Sequence, residues 1–302
     1  MILYIFINIL TKESLYSTQK DQTNNSLIAK DQTNFPKLSR PIINSINSCG
    51  PDLTYTIETS NLIINGTGEM SDFDYEGTTC YLINIVTISE NPESVTFIGE
   101  YAFFTCTKLE TIKFPSQITE LSSYTFQDCS SLTSFFIPQN VNIIYSSVFQ
   151  ACSSLTSMII PEKVTGLEYA VFYIYENLAS IEFEGNVTYI YAECFSECNS
   201  LITIEIPESV TYIGSAFRYC SKIETITIPH QITVIEWCTF EHCDSLITVN
   251  FTGEVETIHD RCFQYCSSLT YITLPETVTF FGYSCFYMCK QLTDFVKKFS
   301  YY

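Results

Sequence analysis

The sequence is poor in charged residues and especially poor in basic ones. Only 16% of the 302 residues are charged, and 33 acidic residues outnumber 14 basic ones, which gives a formal net charge of −19. Nucleic acids and anionic membranes bind proteins through clusters of Lys and Arg. The sequence therefore excludes both as partners and favours basic or neutral protein partners.

Long apolar runs and catalytic motifs are also scarce. The apolar segment at residues 1–10 is about half as long as the ~20 residues that a membrane-spanning helix needs. The three histidines fall at different positions of the repeat described below, and adjacent side chains such as His242 and Cys243 rarely point together. No phosphate-binding loop, nucleophile elbow or zinc-protease motif occurs. We therefore predict no transmembrane span, no metal site, no cofactor and no enzymatic activity.

The sequence contains instead a repeat of 22 or 23 residues. Eight cysteines recur at this period, Tyr175 takes the one missing position, and a Phe stands three residues before each. The phenylalanines are Phe103, Phe126, Phe149, Phe172, Phe195, Phe217, Phe240, Phe263 and Phe286, and the cysteines are Cys106, Cys129, Cys152, Cys198, Cys220, Cys243, Cys266 and Cys289. Such a period is typical of solenoids, whose units bury apolar faces only against their neighbours. We predict a β-rich repeat solenoid of nine coils over residues 95–295, with both columns in its core.

Each unit contains two extended segments joined by a turn. Leu-x-x-Ile-x-Ile-Pro predicts a short strand that ends at Pro, so that a parallel sheet forms on one face of the solenoid. Val-Thr-x-Ile predicts a second short extended segment, and Ala-Phe-x-x-Cys predicts a tight turn or one helical turn. Cysteines at equivalent positions of adjacent coils are expected to form a column of buried thiols rather than disulfides or metal ligands. Cys49 and Cys80 lie outside the array and are the candidate disulfide pair.

The segments outside the repeats differ from it in composition. Residues 1–17 are either a signal peptide or an incidental apolar start. Residues 18–48 are polar and predicted to be a disordered leader, because they bury too little apolar surface to fold. Residues 49–94 are predicted to form a β-rich N-terminal cap, with strands at 53–57 and 62–64 and a turn at 65–68. Residues 296–302 form a short tail.

Two columns of each Leu-x-x-Ile-x-Ile strand are predicted to face outward by period-two alternation. The third positions include Ser134, Ser157 and Tyr271, and are mostly hydroxyl residues that suit a soluble β-strand. The fifth positions place Phe136 and Ile159 beside Glu182 and Glu205. An exposed apolar patch with a charged rim is typical of a protein contact. Partner binding is therefore one interpretation of Phe136 and Ile159; contact with the leader, or no role, are the others.

Four Asn-x-Ser/Thr sequons would accept glycans if the chain were secreted. They lie at Asn24, Asn65, Asn186 and Asn250. A glycan on Asn250, which belongs to the fifth-position column, would cover that end of the exposed face.

The repeat Val-Thr-x-Ile-Gly-x-x-Ala-Phe-x-x-Cys-x-x-Leu-x-x-Ile-x-Ile-Pro resembles that of BspA-like leucine-rich-repeat surface proteins. The segment from Cys49 to Met70, with its Asn-Gly-Thr-Gly-Glu-Met end, is similar to the segment before the repeats in that family. The resemblance implies a curved leucine-rich-repeat solenoid, on the cell surface or secreted, that adheres to host, extracellular-matrix or microbial proteins. The alternative is an intracellular scaffold, in the cytoplasm, that uses the same face for protein–protein interaction.

Overall fold

The described part of the chain is a parallel β-solenoid with a spacing of about 23 residues. The computed structural model describes residues 47–50, 53–58, 61–66, 68–70, 87–90 and 95–292, and these residues contain strands and turns but no helix. The candidate signal peptide at 1–17, the tail at 296–302 and Cys80 lie outside the described residues.

Nineteen short strands build the described part of the chain. They are β1 Asn47–Gly50, β2 Leu53–Glu58, β3 Asn61–Gly66, β4 Gly68–Met70, β5 Thr87–Glu90, β6 Val95–Ile98, β7 Thr111–Ile112, β8 Glu120–Leu121, β9 Ile143–Ile144, β10 Ser157–Ile160, β11 Gly166–Leu167, β12 Ser180–Phe183, β13 Tyr189–Ile190, β14 Tyr212–Ile213, β15 Thr225–Ile228, β16 Val234–Ile235, β17 Thr248–Phe251, β18 Thr257–Ile258 and β19 Phe280–Phe281. We number the repeat units one to nine by their first residues, which are Val95, Ile118, Val141, Val164, Val187, Val210, Ile232, Val255 and Val278.

Both extended segments of the unit pair with their neighbours, on two faces of the solenoid. The prediction placed the parallel sheet on one face only. The Leu-x-x-Ile-x-Ile strands form the first face, in the pairs β10–β12 and β15–β17, and the Val-Thr-x-Ile strands form the second, in the order β14-β13-β11-β9-β8 and then β16-β18-β19. The second face is paired because its amides also donate to the previous coil; Tyr145 N, for example, donates to Leu121 O at 3.0 Å.

Strand pairing is interrupted on the first face and more continuous on the second face. The Leu-x-x-Ile-x-Ile segments of units two, five and eight are not strands, although their side chains keep the alternation of buried and exposed positions wherever they are described. Unit one pairs with earlier strands through β5–β7 and β4–β6, and the last strand of unit nine lies outside the described residues. About seven turns are therefore regular, slightly fewer than the nine predicted coils.

The strands before the first repeat connect to both faces. β1, β2 and β3 pair antiparallel, β3 continues in parallel through β5 to β7, and β4 pairs in parallel with β6. The predicted turn at 65–68 is wrong in part, because Asn65 and Gly66 pair with Thr54 and Leu53 inside the β2–β3 ladder. β1 also begins at Asn47, two residues inside the predicted leader.

Two stacked columns fill the core. Consecutive rings of the Phe column lie 5.3 to 5.8 Å apart and within 15° of parallel. Seven of the cysteines donate through Sγ to the carbonyl of a Phe in the previous coil, at 3.0 to 3.3 Å. Both columns are buried except at their last members, Phe286 and Cys289, which are half-buried because they stand in unit nine.

Tight turns at Ala-Phe-x-x-Cys carry the chain from one face to the other. Two residues of most units have a positive φ between 55° and 65°, although none is glycine, as with Tyr101 and Thr105 in unit one. This conformation is costly for a single residue, and amides that donate to the next coil hold it in place. Unit six, one residue short, keeps only Tyr219 in it.

Candidate functional site

The first face exposes the apolar pair predicted as a contact site. The side chain of Phe136 is 82% exposed and that of Ile159 is 43% exposed. Ile159 on β10 lies directly beside Glu182 on β12, because the two residues are register partners. Phe136 belongs to unit two and Ile159 to the next unit, so the apolar pair has a carboxylate on one side.

The remaining predicted residues of this face are also exposed. Ser134 and Ser157 occupy the third-position column, and Glu205 follows Glu182 in the fifth-position column. Every fifth-position side chain from Lys113 to Thr273 is exposed. Units two to five therefore bring together an apolar pair, two carboxylates and several hydroxyls on one surface.

Tyr271 does not join this group. It lies in unit eight, six coils away from Phe136, which at about 4.8 Å per coil is roughly 29 Å. Its ring is 54% exposed and borders an open groove of about 440 Å³, which Asn250 and Glu254 also line. The groove forms where the first-face ladder ends at β17, because the next unit supplies no strand to pair with it.

The structure describes the side chains of two of the four sequons. Asn186 is exposed in a loop before the second-face segment of unit five, and Asn250 is exposed on β17. Asn65 lies in β3, and Asn24 lies outside the described residues. A glycan on Asn250 would occupy the groove beside Tyr271.

A second group of exposed aromatic residues lies on the second face. We define the tyrosine patch as Tyr145, Tyr169, Tyr189, Tyr191 and Tyr212, in units three to six. All except Tyr189 are 38% to 40% exposed. Alternation was predicted only for the Leu-x-x-Ile-x-Ile strands, so this group was missed. Four of its members stand next to the buried fourth residue of Val-Thr-x-Ile, where alternation predicts an outward side chain, whereas Tyr169 stands two residues after the buried Leu167 and does not follow the rule.

The rings of the patch contact one another across adjacent coils. The centroids of Tyr189 and Tyr191 are 4.7 Å apart, and those of Tyr191 and Tyr212 are 5.7 Å apart. The ring of Tyr189 lies across β11, where Gly166 has no side chain; a Cβ there would overlap the ring. The absence of a side chain at one position thus allows the next coil's ring to lie flat on the sheet.

Two reciprocal hydrogen bonds join the patch to carboxylates. Tyr169 Oη donates to Glu193 Oε2 at 2.7 Å, and Tyr189 Oη donates to Glu168 Oε1 at 3.1 Å. Burial, followed by the nearby Glu168, raises the pKa of Tyr189 to about 12, and burial and Glu193 raise that of Tyr169 further. Both phenols therefore remain hydrogen-bond donors at neutral pH.

The groups with potential for chemistry do not converge on a site. The His242 ring stacks between Tyr219 and Tyr265 at 4.7 and 4.2 Å, whereas Cys243 Sγ donates to Phe217 O at 3.2 Å inside the core. Burial raises the pKa of the Cys220 thiol to about 12, which keeps it protonated and unreactive. Within the described ranges, no cluster of His, Cys, Asp or Glu could hold a metal ion, and no helix is long and apolar enough to cross a membrane.

The repeat matches a known family. The family described as "BspA type Leucine rich repeat region" matches residues 78–202 and 188–299, in six copies. The chain belongs to the BspA-type leucine-rich-repeat family. Members and structural neighbours of this family are repeat proteins and generally not enzymes. No curated protein matches the chain.

Solved structures of bacterial leucine-rich-repeat proteins share the fold. A leucine-rich-repeat protein from Eubacterium ventriosum is 22% identical, with a TM-score of 0.51 over 81% of this chain and 82% of its own. A leucine-rich cell surface protein from Faecalibacterium prausnitzii is also 22% identical, with a TM-score of 0.52 over 83% of this chain and 88% of its own. At this level of identity the likeness concerns the fold alone.

Proposed function

We propose that this BspA-type protein is a non-enzymatic adhesion protein that binds other proteins through the first face. The observation that carries the proposal is the 82% exposure of Phe136, next to the half-exposed Ile159 and the carboxylate of Glu182. An aromatic side chain left in water among polar neighbours is the kind of anchor that dominates protein interfaces. The expected partners are host, extracellular-matrix or microbial surface proteins.

We also propose that the protein acts on the cell surface or in the medium. The structural neighbour from Faecalibacterium prausnitzii is described as a cell surface protein, which supports this location. Intact-mass spectrometry of protein recovered from the native cells and from their medium tests it. We expect loss of about residues 1–17 and added glycan mass at Asn186 or Asn250; a full-length, unglycosylated chain confined to the cells would contradict it.

The binding site is tested with paired surface variants. Phe136→Ser combined with Ile159→Ser removes the apolar pair, and the matched control, Ile202→Ser combined with Ile247→Ser, changes two other exposed isoleucines, which are 51% and 43% exposed. Binding to immobilised extracellular-matrix proteins is measured by surface plasmon resonance. Because a hot-spot residue is worth about 2 kcal/mol or more, we expect at least about tenfold weaker binding for the first pair and little change for the control. Equal binding by both pairs would refute the site.

A further inference from the structure

The tyrosine patch combines exposed rings with carboxylates that lack basic partners. Glu168 and Glu193 each accept one hydrogen bond from a phenol. The pKa of the Tyr212 phenol is raised mainly by burial and secondly by the negative charge of Glu236, which lies nearby. In the described part of the chain, none of these three carboxylates forms an ion pair. Their negative charge is therefore not neutralised by the protein itself.

The coils that carry the patch have an excess of negative charge. Units three to six, residues 141–231, contain ten acidic residues and three basic ones, Lys163, Arg218 and Lys222, and Arg218 already pairs with Glu241. The Lys163 ammonium donates to Asn140 Oδ1 at 2.7 Å, in the turn that precedes the second-face segment. Such a surface attracts cations over a distance of about one Debye length, roughly 8–10 Å in physiological salt.

Aromatic rings and carboxylates together suit one class of side chain. Guanidinium and ammonium groups stack on Tyr rings and pair with carboxylates. Acidic segments are repelled by the same carboxylates. Rings on successive coils provide several such positions along the solenoid, so an extended chain crossing the coils would meet more than one of them. We propose that the tyrosine patch binds an extended Arg- and Lys-rich segment of a partner protein, with Tyr191 and Tyr212 as stacking platforms and Glu168 and Glu193 as counter-charges.

The tyrosine patch lies on the second face, whereas Phe136 lies on the first face. The proposal for the patch therefore does not depend on the first-face contact.

The probe is a fluorescent octa-arginine peptide, and octa-glutamate is the negative control. Affinity for the full chain is measured by fluorescence anisotropy at low and physiological salt. Tyr191→Ser combined with Tyr212→Ser tests the rings, and circular dichroism confirms that this variant is folded.

Two double variants with the same net charge distinguish binding at the tyrosine patch from nonspecific attraction of a basic peptide to an acidic protein. Glu168→Gln with Glu193→Gln and Glu182→Gln with Glu205→Gln change the net charge equally, but the second pair lies on the first face. We expect octa-arginine affinity to fall about tenfold for the ring variant and for the patch charge variant, and much less for the first-face charge variant.

Three results would overturn the proposal. Equal losses in the two charge variants would show that binding follows net charge alone. Unchanged affinity in the folded ring variant would show that the rings take no part. Self-association of the wild-type chain in sedimentation that the ring variant abolishes would assign the patch to a second copy of this protein instead of a basic partner.

Discussion

The buried columns carry the same residue in nearly every coil, whereas the exposed columns change from one coil to the next. Inside, Phe recurs in all nine units and Cys in eight. Outside, the fifth-position column passes from Lys113 through Phe136 and Ile159 to Glu182. A buried position must fit against the same group above and below, and an exposed one has no such requirement. If the protein binds partners as proposed, we expect the variable exposed columns to specify them.

The largest expected effect on stability comes from ionising the buried thiols of the cysteine column, because the exposed columns contain no such group. Burial raises the pKa of seven thiols of the column above the ordinary value of about 8.5, to about 12 for Cys220, while an unfolded chain would titrate normally. The stability contributed by the column is therefore complete below about pH 8.5 and is lost as pH rises towards 12. Each buried thiol should cost about 1.4 kcal/mol per pH unit in this window.

Urea unfolding between pH 7 and pH 11 checks this prediction. The free energy of unfolding should fall steeply above about pH 9, and Cys220→Ala should show a shallower decline because it has one titrating thiol fewer. A free energy of unfolding that stays constant up to pH 11 would mean that the thiols are not buried as described.

Two phenylalanines of unit two provide a sharper comparison. Phe126 is fully buried between the rings of Phe103 and Phe149, whereas Phe136 is 82% exposed. Phe126→Ala should destabilise the fold by about 3–5 kcal/mol, since it leaves a cavity in the stack. Phe136→Ala should change stability by less than about 0.5 kcal/mol. Denaturant unfolding measures both; similar losses would contradict the division into buried and exposed columns.

A smaller gain in stability is expected at the one position where the cysteine column is interrupted. Tyr175 replaces a thiol in the cysteine column, and its buried hydroxyl has no hydrogen-bond partner among the described residues. An unpaired buried polar group is costly, so Tyr175→Phe should raise the stability by about 1 kcal/mol. Thermal melting measures this change, with Tyr283→Phe as a control at a position that is 78% exposed. A clear loss of stability in Tyr175→Phe would show that the hydroxyl is bonded in solution.

Burial was more predictable from the sequence than hydrogen bonding was. The repeat located the Phe and Cys columns and the outward direction of Phe136 and Ile159, because apolar periodicity reports burial directly. It did not locate the gaps in the first-face ladder at units two, five and eight, since the segment from Leu132 to Ile137 keeps its alternation without pairing as a strand. Alternation constrains side chains and leaves backbone pairing open.

The tyrosine patch was predictable in part. Outward positions for Tyr189 and Tyr212 follow from alternation, but the way Tyr189 lies across Gly166 depends on a residue 23 positions earlier in the chain. The reciprocal bonds to Glu168 and Glu193 likewise join residues of two different coils. Such contacts follow from the coil register, which the structure supplies.

Photo-crosslinking tests whether the first face is a protein-binding surface centred on Phe136. A photoreactive phenylalanine analogue is placed at position 136 in one protein and at position 227 in another, since Thr227 is an exposed member of the same column in unit six. Both proteins are exposed to extracellular-matrix proteins and irradiated. We expect crosslinked partner protein at position 136 and little at position 227. Equal crosslinking at both positions, or none at 136 while the protein is bound, would contradict this expectation.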